Sequence, residues 1–172
     1  MTLGGQKMKQ SKPRLQIIRG LPGSGKTTLA LRRYSHLMRL ETDMFFYSRG
    51  AYRFTMERNH DAVEWFKEEV RRLCATGMDF VVTGVFAAHT ERLDFVIAAG
   101  LARRYDVYIK TLTSQHKGVH AVPEEHFKAM KAAFVPHAEL CEKYAEYPHV
   151  HFGLMPTKYP LEHLKRRNRK TT

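Results

Sequence analysis

Residues 20–28 read Gly-Leu-Pro-Gly-Ser-Gly-Lys-Thr-Thr and satisfy the pattern G-x-x-x-x-G-K-[ST]; no other stretch restricts the fold so tightly. Before it, the apolar run of Leu15, Ile17 and Ile18 predicts a buried strand over 14–19. After it, Leu29, Ala30 and Leu31 open a helix over about 26–36. The chain must therefore pass from a strand through a glycine turn into a helix. Gly20, Gly23 and Gly25 let the backbone close on an anion, and the helix start directs free N–H groups and a positive dipole end at it. The expected ligand is the polyphosphate of a nucleotide, lined by Leu21, Pro22, Gly23, Ser24, Gly25, Lys26, Thr27 and Thr28. Lys26 reaches the β- and γ-phosphates, and the Thr27 hydroxyl suits Mg²⁺, which keeps most of its water and takes few protein ligands.

Downstream, helical and strand periods alternate with crossover-length helices, the pattern of an α/β fold: a parallel sheet with helices on both faces. Strands are expected over 38–42, 80–83, 106–112 and 150–154. Helices are expected over 59–76, with Val63, Phe66, Val70, Leu73 and Cys74 inward and Gly77 as the stop, and from an N-cap at Thr90 with Leu93, Val96, Ile97 and Leu101 inward. A helix opened by Pro123, with Glu124 and Glu125 in its first turn, should bury Phe127, Met130 and Phe134 and stop at Pro136; a further helical segment follows over 138–145. The stretch 113–122 before the helix at Pro123 is polar. The 172 residues suit one domain over 14–155, between a disordered basic tail at 1–13 and a basic tail at 156–172.

The second strand ends at Asp43. In an open parallel sheet the C-terminal strand ends line the ligand crevice, which puts Asp43 opposite the loop as the one acid the strand reading brings there. It suits a general base toward an acceptor hydroxyl; a partner of the metal's water or a helix cap is the alternative. From 44 to 60 neither period holds, but Phe45, Phe46, Tyr47, Tyr52 and Phe54 interleave with Arg49, Arg53 and Arg58. These side chains either stack an unpaired base and grip its phosphates, with Arg49 and Arg53 as the substrate-binding cations, or pack the loop onto the sheet.

Charge points the same way: 29 Lys and Arg against 17 Asp and Glu leave a formal net charge of +12, which attracts polyanions. Nucleic acid is the expected partner, DNA ahead of RNA. No run approaches the roughly 18 to 20 apolar residues of a membrane span, and the N-terminus lacks an apolar signal region, so the cytoplasm is the expected location. Cys74 and Cys141 form no Cys-x-x-Cys pair and read as reduced thiols on helix faces. His149 and His151 share one face of a strand, without a third ligand at zinc spacing. No Asn-Lys-x-Asp guanine signature occurs.

Four stretches together resemble the P-loop polynucleotide kinase family, which includes the phage enzyme that phosphorylates 5′-hydroxyl ends and small phage-encoded ATP-binding relatives. They are the loop at 20–27, Glu41-Thr42-Asp43-Met44-Phe45-Phe46, Val81-Val82-Thr83-Gly84-Val85-Phe86, and His116-Lys117-Gly118-Val119-His120-Ala121-Val122-Pro123-Glu124-Glu125. The resemblance implies a P-loop kinase-like fold with a short lid in the polar stretch 113–122, and ATP-dependent, Mg²⁺-dependent transfer of the γ-phosphate to a hydroxyl of nucleic acid, with the host cytoplasm as its setting if the chain is phage-encoded. In that scheme Lys26 stabilises the transferring phosphoryl group, Thr27 holds Mg²⁺, Asp43 is the base, and Lys117 takes the place of a lid arginine without its bidentate fork. Two positions depart from the family: Thr83 or Gly84 stands where an Asp is common, and Met44, Phe45 and Phe46 stand where 5′-end kinases carry an Arg. The acceptors left open are a 5′-hydroxyl, a hydroxymethylated base such as 5-hydroxymethyluracil within DNA, and a nucleoside or small metabolite. From another class, a nucleotide-dependent switch or a nucleic-acid-binding module with a vestigial loop is the rival.

Overall fold

The computed structural model describes residues 11–86, 91–114 and 122–156. Five parallel strands form one sheet in the order β2-β5-β1-β6-β7: β1 is Arg14–Arg19, β2 Met38–Glu41, β5 Phe80–Gly84, β6 Asp106–Leu112 and β7 Val150–Met155. A separate antiparallel pair, β3 (Tyr47–Ser48) and β4 (Ala51–Tyr52), projects after β2. The helices are α1 (Lys26–Arg33), α2 (Asn59–Thr76), α3 (Glu91–Ala102), α4 (Glu124–Ala132) and α5 (His137–Lys143).

β1 is central and covered on both faces, which is why its sequence is a nearly continuous apolar run rather than an alternation. Leu15 and Ile17 belong to the larger core with Phe66, Val70, Leu93, Val96, Ile97 and Leu140, from α2, α3 and α5. Ile18 belongs to the smaller core on the other face, with Leu29 and Ala30 of α1, Val81 and Leu112. The chain builds the sheet from β1 toward the β2 edge, returns through β5, then crosses to β6 on the far side of β1. The loop after β1 lies where the winding reverses, the position at which open α/β sheets bind ligands.

α2 runs over the residues predicted, and its C-cap is Gly77 at φ 68°. Its buried stripe is Ala62, Phe66, Val70, Leu73 and Cys74, so Ala62 rather than Val63 makes the first contact. α4 differs more: none of its residues is fully buried, and Phe127 and Met130 are half-buried, because this helix lies at the rim where only part of one turn meets the body. The helix also ends at Ala132, four residues before Pro136. Cys74 is buried, which pushes its thiol up to about 11, and Cys141 is half-buried; both are free. His149 precedes β7 and pairs with Asp106 at 2.9 Å, while His151 stacks on Tyr108 with ring centroids 4.6 Å apart. Among the described residues no helix is long and apolar enough to cross a membrane.

Candidate active site

The loop between β1 and α1 is built by close approach. A Cβ at Gly20 would lie 2.4 Å from Ser24 Oγ and 3.2 Å from Leu112 Cβ, so only glycine lets the loop fold back onto the sheet. Gly25 caps α1 at φ 89°, a left-handed conformation that aims the first turn's N–H groups into the loop. No side chain caps that end and no acid occupies the first turn, so those donors face the loop's interior.

Lys26 is half-buried and donates from Nζ to the carbonyls of Gly20 at 2.8 Å and Leu21 at 3.0 Å, the crown of the loop. Burial pulls its ammonium down to about 8; the charges of Glu41 and then Asp43 act in the opposite direction. Both acids therefore lie near enough to Lys26 for their charges to act on it. Asp43 is exposed, in a short 3₁₀ turn over Thr42–Phe46 directly after β2, as the strand reading expected. Its charge also reaches the Tyr52 phenol, whose ionisation is pushed up first by burial, then by Asp43 and Tyr47.

Glu41 is the acid that sequence reasoning missed. It ends β2 in register with Thr83 of β5. Its Oε1 accepts hydrogen bonds from Thr27 Oγ1 at 3.2 Å and Thr83 Oγ1 at 2.5 Å, and it pairs with Arg39. Of the two acids, Glu41 acts more strongly on Lys26. The signal lay in its place at the end of the edge strand β2, but its reach across Thr83 to the loop is a property of strand register.

The segment after Asp43 divides in two. Phe46 is buried and meets Phe45, Tyr52 and Phe54 edge-on, while Phe45 lies against Trp65 and under Arg58; this half packs the segment onto α2. The other half is a hairpin whose turn residues Arg49 and Gly50 both have positive φ, 49° and 77°. Across it, the exposed rings of Tyr47 and Tyr52 sit 5.2 Å apart, and Arg49 and Arg53 are exposed beside them. Of the two outcomes left open by the sequence, packing holds for Phe45 and Phe46, against α2, while Tyr47, Tyr52, Arg49 and Arg53 stay exposed. Lys117, His116 and His120 of the expected lid, and the N-cap Thr90, lie outside the described residues.

One further charge adjoins the loop. Arg19, the last residue of β1, is fully buried; it donates from Nη2 to the Val135 carbonyl at 2.8 Å and lies 4.0 Å from the Phe134 ring centre. Its Nε and Nη1 have no hydrogen-bond partner among the described residues, and burial brings the guanidinium down to about 10. His137, whose Nδ1 is 3.0 Å from Thr111 Oγ1, is held below its usual value by burial and then by the Arg19 charge.

The hydroxyl of Thr27 and the carboxylate of Glu41 form a hard-oxygen pair at the mouth of a basic loop, a donor set that fits Mg²⁺ with nucleotide phosphates. No protein-family model matches this sequence. Solved structures do match in fold. Kti12 of Chaetomium thermophilum, in complex with ADP-AlF3, is 12% identical over 88% of this chain and 94% of its own, with a TM-score of 0.55. A gluconokinase from Sinorhizobium meliloti 1021 is 13% identical over 91% of this chain and 90% of its own, with a TM-score of 0.51. A chain of the AvrRxo1-ORF1:-ORF2 complex reaches a TM-score of 0.61 at 15% identity over 85% of this chain, which spans 55% of that longer one. What the chain shares with these structures is the fold: a parallel five-stranded sheet flanked by helices, with the glycine loop after its central strand.

Proposed function

We propose that this protein is an ATP-dependent kinase that transfers the γ-phosphate to a hydroxyl of nucleic acid, in the manner of a polynucleotide 5′-hydroxyl kinase. The observation that carries the reading is the place of Asp43, exposed in the turn directly after β2, where its charge acts on both Lys26 of the phosphate loop and Tyr52 of the aromatic hairpin. Phosphoryl transfer needs in-line positioning, neutralisation of charge and a place for the acceptor's proton. Backbone N–H groups at the start of α1 and the Lys26 ammonium hold the phosphates. Asp43 takes the acceptor proton as the acceptor oxygen bonds the γ-phosphorus; the bond to the β–γ bridging oxygen breaks and its electron pair leaves with ADP. Mg²⁺, when bound at Thr27, supplies neutralisation of the phosphate oxygens. Lys117 belongs to this scheme as a second cation on the phosphates.

Support for a nucleic-acid acceptor comes from the net charge of +12 and from the paired Tyr47 and Tyr52 rings flanked by Arg49 and Arg53, which suit stacking of one unpaired base and contact with its phosphates. A second reading keeps the chemistry and changes the acceptor to a hydroxymethylated base within DNA; the absence of an Arg at 44–46 favours it over a terminal 5′-hydroxyl. The test is incubation with γ-labelled ATP, Mg²⁺ and oligonucleotides that differ only in a free 5′-hydroxyl or an internal 5-hydroxymethyluracil, as DNA and as RNA. Label on the 5′-hydroxyl DNA supports the first reading. Label confined to the modified base supports the second, and label on neither removes nucleic acid as the acceptor.

A further inference from the structure

We propose that Glu41 is the carboxylate of the Mg²⁺ site at this loop, delivered by β2 in place of the acid that β5 lacks. The proposal rests on the nucleotide-binding reading above and assigns a residue to it that neither motif nor family resemblance supplies.

In P-loop nucleotide enzymes the metal is held by the loop's Ser or Thr and by an acid on a nearby strand. Here the strand beside β1 is β5, Phe-Val-Val-Thr-Gly, which carries no acid; its Thr83 and Gly84 pair with Ile18 and Arg19 just below the loop. One strand further out, Glu41 pairs with Thr83. Neighbouring strands are about 4.8 Å apart, so an acid on β2 needs the longer side chain and something to steer it inward. Both conditions are met: the residue is Glu, and the Thr83 hydroxyl donates to its Oε1 at 2.5 Å.

The same Oε1 accepts from Thr27 Oγ1 at 3.2 Å, so the hydroxyl assigned to the metal and the carboxylate already meet. Glu41 is mostly shielded, its side chain 20% exposed, and Oε2 has no hydrogen-bond partner among the described residues. Arg39 supplies the balancing charge in the absence of a cation. A hard dication that keeps several waters needs one carboxylate, one hydroxyl and the nucleotide's own oxygens, and this corner offers that set. Thr83 is thereby a positioning residue that orients Glu41.

The experiment measures metal rather than turnover. Binding of Mn²⁺ to the protein with ADP is followed by electron paramagnetic resonance at pH 6.5, where Lys26 stays charged, and ADP affinity is measured with and without Mg²⁺. For Glu41→Gln the expected result is a loss of at least about tenfold in Mn²⁺ affinity in the ternary complex, the scale seen when a metal's supporting residues are removed. Metal-free ADP affinity should be unchanged or higher, since a negative charge beside the phosphates is gone. Glu41→Asp should lose part of the metal affinity, and Thr83→Val should weaken it with the carboxylate still present; both retain the acid and guard against a variant that merely misfolds. Wild type binding Mg²⁺·ADP while Glu41→Gln keeps full Mn²⁺ affinity overturns the assignment of Glu41 alone. Wild type binding no ADP under either condition overturns the nucleotide reading together with it.

Discussion

Lys26 costs the free protein stability, and the cost can be read from its surroundings. Burial lowers the ammonium from 10.5 to about 8, with Glu41 and Asp43 already offsetting part of the penalty. At about 1.4 kcal/mol per pH unit, holding Lys26 charged at neutral pH costs on the order of 3 kcal/mol. Lys26→Met removes that cost and also two hydrogen bonds, to Gly20 and Leu21, each contributing about 1 kcal/mol or somewhat more because the donor is charged. The net expectation is a variant more stable by about 1 kcal/mol, which for a chain of this size raises Tm by about 2–4 °C. The sign with pH follows from which state holds the proton. Between about 8 and 10.5 the unfolded chain keeps a proton that the native Lys26 has lost, so wild-type stability rises with pH through that window. The charge cost is full below pH 8 and gone by about 10.5, so the variant's advantage of about 1 kcal/mol vanishes within about one pH unit above 8 and reverses beyond it. Thermal unfolding of both proteins without nucleotide, at pH 7 and at pH 10, reads the effect. ADP should then stabilise wild type and leave Lys26→Met unmoved. A variant less stable than wild type at pH 7, or a gap that does not change with pH, refutes the argument that Lys26 is held charged against its environment for a ligand.

Three further outcomes follow from the same geometry. Gly20→Ala puts a methyl group 2.4 Å from Ser24 Oγ, so it should lower stability by about 1–3 kcal/mol in chemical denaturation and weaken ADP binding at least tenfold by calorimetry. Tyr52→Ala and the pair Arg49→Ala, Arg53→Ala should raise the KM for an oligonucleotide acceptor while the KM for ATP stays within about twofold. The arginine pair should also flatten the salt dependence of oligonucleotide binding, because each lost phosphate contact removes one released counterion.

What the sequence made legible was local. The loop from 20 to 28, the run of β1 and the stripe of α2 are each specified by residues close in the chain, and the elements stand where they were expected. The misses are tertiary. Glu41 reads as the tail of a strand until register sets it against Thr83 and, through it, against Thr27. Arg19 reads as a polar terminus after an apolar run, yet the corner at Phe134 and Val135 closes over it. The hairpin at 47–52 was hidden because its turn is Arg49-Gly50, and an Arg at positive φ lacks the Asn-Gly or Asp-Gly signal that marks such turns. α4 carries a helical apolar period but sits at the rim, and periodicity cannot report how much of a stripe finds a partner.

The measurement closest to the central claim is transfer of label from γ-labelled ATP to an oligonucleotide by wild type and by Asp43→Asn, with nucleotide affinity determined for both. Wild type should label the acceptor, and Asp43→Asn should lose transfer by at least about a hundredfold, the usual scale of a general base, while binding nucleotide as before. Unchanged turnover in Asp43→Asn would contradict it.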